Sequence, residues 1–268
     1  MKLLKRNCKF FLLSFLGLWS CSSSNKVPSE TSQQFTIPIQ AVRSNDYSSI
    51  EVVLKNILEC PVRLMYNGET VATVGAKRDT LFQVPSYREI PMNFKINLGD
   101  PNQKIFKRPI SLPFPEGKVY KVLQGYNGEF SHQSLYSKYS LDFDIKKGEM
   151  VCSADDGYVV GLVNDYKHSG ATPEWKDKSN YLTIYHPETG LYTQYVHFKH
   201  QGALVKVGDQ VKRGQPIAIN GMTGFTTGEH LHFNVLVPDS YGSLISTLVE
   251  FEGGIKGESL RKGNTVKK

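Results

Sequence analysis

The sequence predicts a mainly β protein of antiparallel strands, with a small N-terminal β-domain ahead of a larger β core. Three observations carry this. Between Phe35 and Asp100 apolar and polar residues alternate at period two, as along a strand with one buried face. Beyond Tyr120, short apolar runs recur between glycine-bearing turns. No run combines helical periodicity with capping residues. With 268 residues, 40% hydrophobic and 21% charged, the chain is too apolar to be wholly disordered. No long second apolar segment follows the first, which excludes a polytopic membrane protein.

Residues 1–20 begin with Lys2, Lys5, Arg6 and Lys9 and continue into the apolar run Phe10 to Leu18. This is the layout of a signal peptide, too short for a comfortable membrane span. Leu18-Trp19-Ser20-Cys21 resembles a bacterial lipobox. The expectation is a lipidated Cys21 that anchors the protein in the cell envelope, each buried acyl methylene contributing about 0.8 kcal/mol. A plain secretory signal with an incidental cysteine is the alternative. Ser22, where an Asp would signal retention, points to the outer membrane, facing the periplasm. The four basic leader residues reduce the formal charge of +7 to +3 when removed, and Arg261, Lys262, Lys267 and Lys268 cover most of the remainder. The body is nearly balanced, so no nucleic-acid partner is expected. Cys8 would leave with the leader. An exported compartment permits a disulfide between Cys60 and Cys152, but they fall in separate predicted domains, and two buried free thiols are expected.

Residues 21–34, rich in Ser, Lys, Pro and Gln, read as a tether. Residues 35–115 read as the N-terminal β-domain and a linker. Ile50, Val52 and Leu54 alternate with polar residues, as do Met92, Phe94, Ile96 and Leu98. Asn67-Gly68 between two short runs signals a hairpin. At most about eight short strands are expected. This domain has no histidine and reads as a spacer or packing module. The three prolines from Pro109 to Pro115 suggest the linker. Residues 116–240 read as the second domain, with Asn164 to Ser179 a long polar loop on a rim, and 241–268 as a C-terminal tail.

All seven histidines lie between His132 and His232. The sharpest feature is His230-Leu231-His232. On a strand, residues i and i+2 share a face, so both imidazoles would face one pocket while Leu231 and Phe233 face the core. Alone, this pattern equally suits two surface or satisfied histidines. Its surroundings narrow the choice: Phe130-Ser131-His132, then Tyr139-Ser140-Leu141-Asp142-Phe143, then Tyr195-Val196-His197-Phe198, then Gly221-Met222-Thr223-Gly224 before the paired histidines. Asp155 to Val160 and Val205 to Gln215 add a strand and a hairpin in matching order.

Over residues 120–240 these motifs resemble the lysostaphin-like zinc endopeptidases, peptidase family M23, whose members are mostly murein hydrolases. Ser246 to Gly263 also resembles the tail of one exported branch. The resemblance implies an antiparallel β-sheet metallopeptidase core, a Zn²⁺ held by His132, Asp142 and His232, and His197 and His230 as the catalytic pair. It implies the stem or cross-link peptides of peptidoglycan as substrate. The family's common pattern sets the first histidine four positions before the aspartate, whereas here the separation is ten. Asp144 is the second choice of carboxylate, because i+2 shares the strand face of Asp142.

Two imidazoles and a carboxylate leave a fourth tetrahedral position on zinc for water. The ion acidifies that water and polarises the scissile carbonyl. A neighbouring imidazole can carry the proton to the leaving amine, and a second can hydrogen-bond the oxyanion. Which of His197 and His230 does which stays open. His168, His186 and His200 read as structural or surface residues. Two other readings compete: a biotinyl-like β-barrel, which leaves the histidines unexplained, and a non-catalytic murein-binding or regulatory member of the same fold.

Overall fold

The computed structural model describes residues 37–85 and 93–268. The leader, Cys21, the tether and Met92 lie outside the described residues. Residues 39–98 contribute β1 (Ile39–Arg43), β2 (Ser49–Lys55), β3 (Val62–Tyr66), β4 (Glu69–Val74), β5 (Asp79–Pro85) and β6 (Phe94–Leu98). They form two three-stranded antiparallel sheets, ordered β1-β2-β5 and β4-β3-β6. The period-two pattern emerges as predicted: Ile50, Val52, Leu54, Phe94, Ile96 and Leu98 are all buried. Asn67 and Gly68, at φ 50° and 88°, form the two-residue turn joining β3 to β4, a left-handed conformation that Asn and Gly tolerate best.

The rest of the chain contributes β7 (Val119–Gln124), β8 (Leu141–Phe143), β9 (Met150–Cys152), β10 (Gly157–Val163), β11 (Ser169–Gly170), β12 (Tyr181–His186), β13 (Leu191–Val196) and β14 (Phe198–Ala203). After these come β15 (Gln210–Val211), β16 (Pro216–Asn220), β17 (Gly224–Phe225), β18 (Leu231–Pro238), β19 (Leu244–Ser246), β20 (Glu250–Phe251), β21 (Ile255–Lys256) and β22 (Thr265–Lys267). A nine-stranded antiparallel sheet runs β15-β10-β12-β13-β18-β8-β7-β22, with β19 also pairing β18. Helical structure among the described residues is confined to short 3₁₀ turns.

Alternation gives this sheet two different faces. Leu141, Phe143, Leu182, Ile184, Tyr195, Leu231 and Phe233 face the main core, which the β14-β16-β9 sheet closes with Val151, Phe198, Ile217 and Ala218. On the opposite face Tyr185, Tyr192 and Leu236 join the core of the N-terminal sheets. At the far end of β13 and β18 that same face carries Val196 and His232.

Two segments are packed more closely than their composition suggests. The Pro109–Pro115 stretch is packed into the core rather than spanning open space. Ile110, Leu112 and Phe114 are buried there, and Ile110 bridges to Phe251. Its apolar residues alternate between the prolines, and burial of that face outweighs the linker-like composition. The stretch from 241 onward is likewise built in: β19 pairs β18, β22 pairs β7, and Leu260 and Val266 are buried. Cys60 and Cys152 are both buried and free. Burial pushes the Cys60 thiol up to about 12.

Candidate metal centre

Strand register assembles most of the site. His232 on β18 lies across from Val196 at the end of β13 and from Asp142 on β8. Asp142 in turn lies across from Gln124 at the end of β7. One row across four strands therefore holds a histidine, a carboxylate and an amide, with His197 one residue beyond the end of β13. His132 enters from the turns that link β7 to β8, ten residues before Asp142.

The donor atoms converge. His132 Nε2 is 3.1 Å from Asp142 Oδ1 and 3.2 Å from His232 Nδ1, which is itself 2.9 Å from Asp142 Oδ1. A tetrahedral ion with bonds of about 2.0–2.1 Å spaces neighbouring donors about 3.3 Å apart, so the trio fits such an ion with little adjustment. His132 Nδ1 lies 2.9 Å from the Gly125 carbonyl. A carbonyl can only accept, so Nδ1 carries a proton and Nε2 is the atom turned to the cluster. Among the described residues, this trio is the group of His, Cys, Asp and Glu side chains that could hold a metal ion. Asp144 stands apart, paired with Lys146. The strand ends at Phe143, so the i+2 argument for Asp144 does not reach it.

The electrostatics suit a buried cation. Burial opposes charge on Asp142, but the surrounding His132 and His230 outweigh it and hold the carboxyl well below its ordinary range. Burial also opposes charge on His132, and the adjacent Asp142 carboxylate outweighs it and raises that imidazole. Burial pushes His232 down. The trio thus offers one anion and ring nitrogens poised close to it.

Two more imidazoles stand beside it. The His197 ring centroid is 4.6 Å from that of His230 and 6.1 Å from that of His232. His230 Nε2 lies 3.8 Å from Asp142 Oδ1, so the paired histidines do share a face. Both rings are held by the nitrogen remote from the cluster. His197 Nδ1 donates to the Thr223 carbonyl at 2.6 Å, and His230 Nδ1 donates to the Gly228 carbonyl at 3.0 Å. Each Nε2 is left without a hydrogen-bond partner. His197 sits at φ 76°, a left-handed conformation that costs a non-glycine residue about 1–3 kcal/mol and clusters at functional sites. Its N–H donates to the Asn180 carbonyl, which helps hold the corner. Burial, then the neighbouring His230 and His232, push the His197 imidazole well below its usual value, so it rests neutral.

A groove of about 260 Å³ opens beside His197 and His232. It is lined by Phe130, Tyr136 and the serines near His132, by Lys176, Asp177, Ser179 and Tyr181, and by Gln194 and Val196. Phe130 and Phe225 stack across its rim, centroids 4.9 Å apart. The 164–179 segment does lie on this rim, tied in by the parallel β11–β17 pair. The other histidines stay outside the cluster: His168 is exposed, His200 is half-buried, and His186 is buried against the Asp156 carbonyl and the Thr193 hydroxyl. Sequence reading missed Gln124, which donates to Asp142 Oδ2 at 3.1 Å. A single glutamine at a strand end carries no signal until the β7–β8 register is known.

Residues 136–243 match the model of peptidase family M23. The chain is 27% identical over 198 residues to an uncharacterized metalloprotease of Buchnera aphidicola, covering 72% of this chain and 44% of that one. It is 35% identical over 144 residues to the peptidoglycan DD-endopeptidase ShyB of Vibrio cholerae, covering 52% of this chain and 29% of that one. The chain thus spans less than half the length of these two curated relatives. Among solved structures, lysostaphin of Staphylococcus simulans aligns over 47% of each chain at 27% identity with a TM-score of 0.35.

Proposed function

We propose that the protein is a zinc-dependent endopeptidase that hydrolyses peptide cross-links of bacterial peptidoglycan. The observation that carries this is the pairing of a tetrahedrally spaced His132, Asp142 and His232 trio with two imidazoles whose Nε2 atoms are free. A purely structural metal site would need a fourth protein ligand rather than an open side. The family domain and the relative named as a peptidoglycan DD-endopeptidase support the substrate class.

His132, Asp142 and His232 would hold the ion. Bound there, zinc would supply a Lewis acid that polarises a carbonyl and acidifies water. The chain's own residues supply the rest. His197 and His230, each with its Nε2 free of a hydrogen-bond partner, can accept a proton from attacking water and return it to the leaving amine, or donate it to the developing oxyanion. Their carbonyl partners fix the tautomer and the ring plane, so little reorientation is needed during reaction. The groove beside His197 offers room for a peptide next to the trio. Lipidation at Cys21 would hold the enzyme in the cell envelope, on the outer membrane facing the periplasm, within reach of the wall.

Digestion of purified peptidoglycan tests the reading, with fragments identified by mass. Cleavage at peptide cross-links should stop on chelation and return with zinc. Zinc-loaded protein that leaves several chemically distinct mureins intact would overturn it in favour of a murein-binding role.

A further inference from the structure

We propose that Gln124 and Gly125 form a positioning cradle that aims Asp142 and His132 at the metal. This rests on the metal site proposed above but not on the reaction. Gln124 is the last residue of β7, and its amide is fully engaged. Nε2 donates to Asp142 Oδ2 at 3.1 Å and to Ser131 Oγ at 2.8 Å, while Oε1 accepts the Phe130 N–H at 3.1 Å. The oxygen it grips is the one that does not face the histidines, because Oδ1 carries both close contacts to His132 and His232. Gripping Oδ2 therefore fixes the carboxylate's rotation and leaves Oδ1 directed into the trio. The next residue does the same for the other ligand through its backbone: the Gly125 carbonyl accepts from His132 Nδ1.

The ten-residue separation gives such a device a task. Asp142 has a strand to hold it, but His132 lies among turns, where its own N–H reaches only the Gly128 carbonyl. Across the long excursion between the ligands, Gln124-Gly125 is a unit that touches both. The cradle is closed from behind. A side chain at Gly125 would meet the Leu260 carbonyl at 2.3 Å, so the C-terminal segment packs directly on the cradle's backbone and requires glycine there. Hydrogen bonds to the atoms remote from the metal commonly set ligand orientation and affinity, and their loss costs about 10–100-fold in binding.

Zinc affinity by chelator competition and the visible spectrum of the cobalt-substituted protein test this without reference to murein. Gln124→Leu keeps the volume and removes the grip. Gln124→Glu keeps the volume and the acceptor for Phe130 but turns an oxygen toward Asp142. Each should weaken zinc binding by about 10–100-fold and shift the cobalt bands. Ser131→Ala, which loosens the loop but leaves the carboxylate contact, should cost less than about tenfold. Either glutamine variant with wild-type affinity and an unchanged cobalt spectrum overturns the proposal. If circular dichroism shows that neither folds, the pair is a structural brace and the proposal also falls. A wild type that binds zinc but spares murein would overturn the endopeptidase reading alone, and one that binds no zinc would overturn both.

Discussion

Five side chains at the candidate centre divide by what their second ring or carboxylate atom does. His197 and His230 spend Nδ1 on the Thr223 and Gly228 carbonyls, so neither is needed to close the donor trio. His197→Ala and His230→Ala should keep zinc near full occupancy, read by elemental analysis. Each should lose about 10²–10⁴-fold in murein cleavage, equivalent to about 3–5 kcal/mol of transition-state stabilisation. Near wild-type cleavage with the metal in place would refute that residue's role. Alanine at His132, Asp142 or His232 should do the reverse and empty the site, whereas His168→Ala, on an exposed loop residue, should leave zinc content unchanged. The paired histidines were legible because strand geometry puts i and i+2 on one face. Asp142 was legible only through its motif context. Gln124 was not legible, because its contact exists only once β7 and β8 are in register.

Among the elements, the β12–β13 hairpin shows how a histidine outside the site is used. His186 closes the hairpin between the Asp156 carbonyl and the Thr193 hydroxyl, and burial pushes its pKa below the ordinary value. The unfolded chain takes up that proton near pH 6.5, and the folded chain does so only at lower pH. Between the two values the unfolded state binds more protons, so stability is full above about pH 6.5 and falls as pH drops, by up to about 1.4 kcal/mol per unit. Urea unfolding of metal-free protein from pH 7.5 to 5 should therefore show a shallower slope for His186→Gln than for wild type. Equal slopes would mean that His186 is not the source. The strands themselves were readable from alternation wherever one face met solvent. The packing of the Pro109–Pro115 segment was not legible because three prolines mask an alternating apolar face. The C-terminal strands are too short to show a period.

At the scale of the molecule, the N-terminal sheets and the nine-stranded sheet share a core. Tyr185, Tyr192 and Leu236 of the larger sheet pack with Ile50, Val52, Leu54 and Leu64 of the smaller ones. Arg63, fully buried, pins this junction by donating to the carbonyls of Leu98, Asp239 and Ser243. Two of those acceptors lie in the turn that joins β18 to β19, and β18 is the strand that carries His232. The N-terminal segment thus braces the strand of the metal site from its far end. No period or motif in the sequence announces this, since an arginine amid apolar strand residues reads as exposed. Arg63→Ala takes the donor from the buried Leu98 carbonyl and from the part-buried carbonyls of Asp239 and Ser243, at a cost of roughly 1–3 kcal/mol. Because the core is continuous, that loss should reach the metal site. On heating, circular dichroism and zinc release should report a single shared transition in the wild type, and both should move to lower temperature together in Arg63→Ala. An N-terminal unit that melts first, with zinc release unmoved by the substitution, would show that the smaller sheets lend the site no stability.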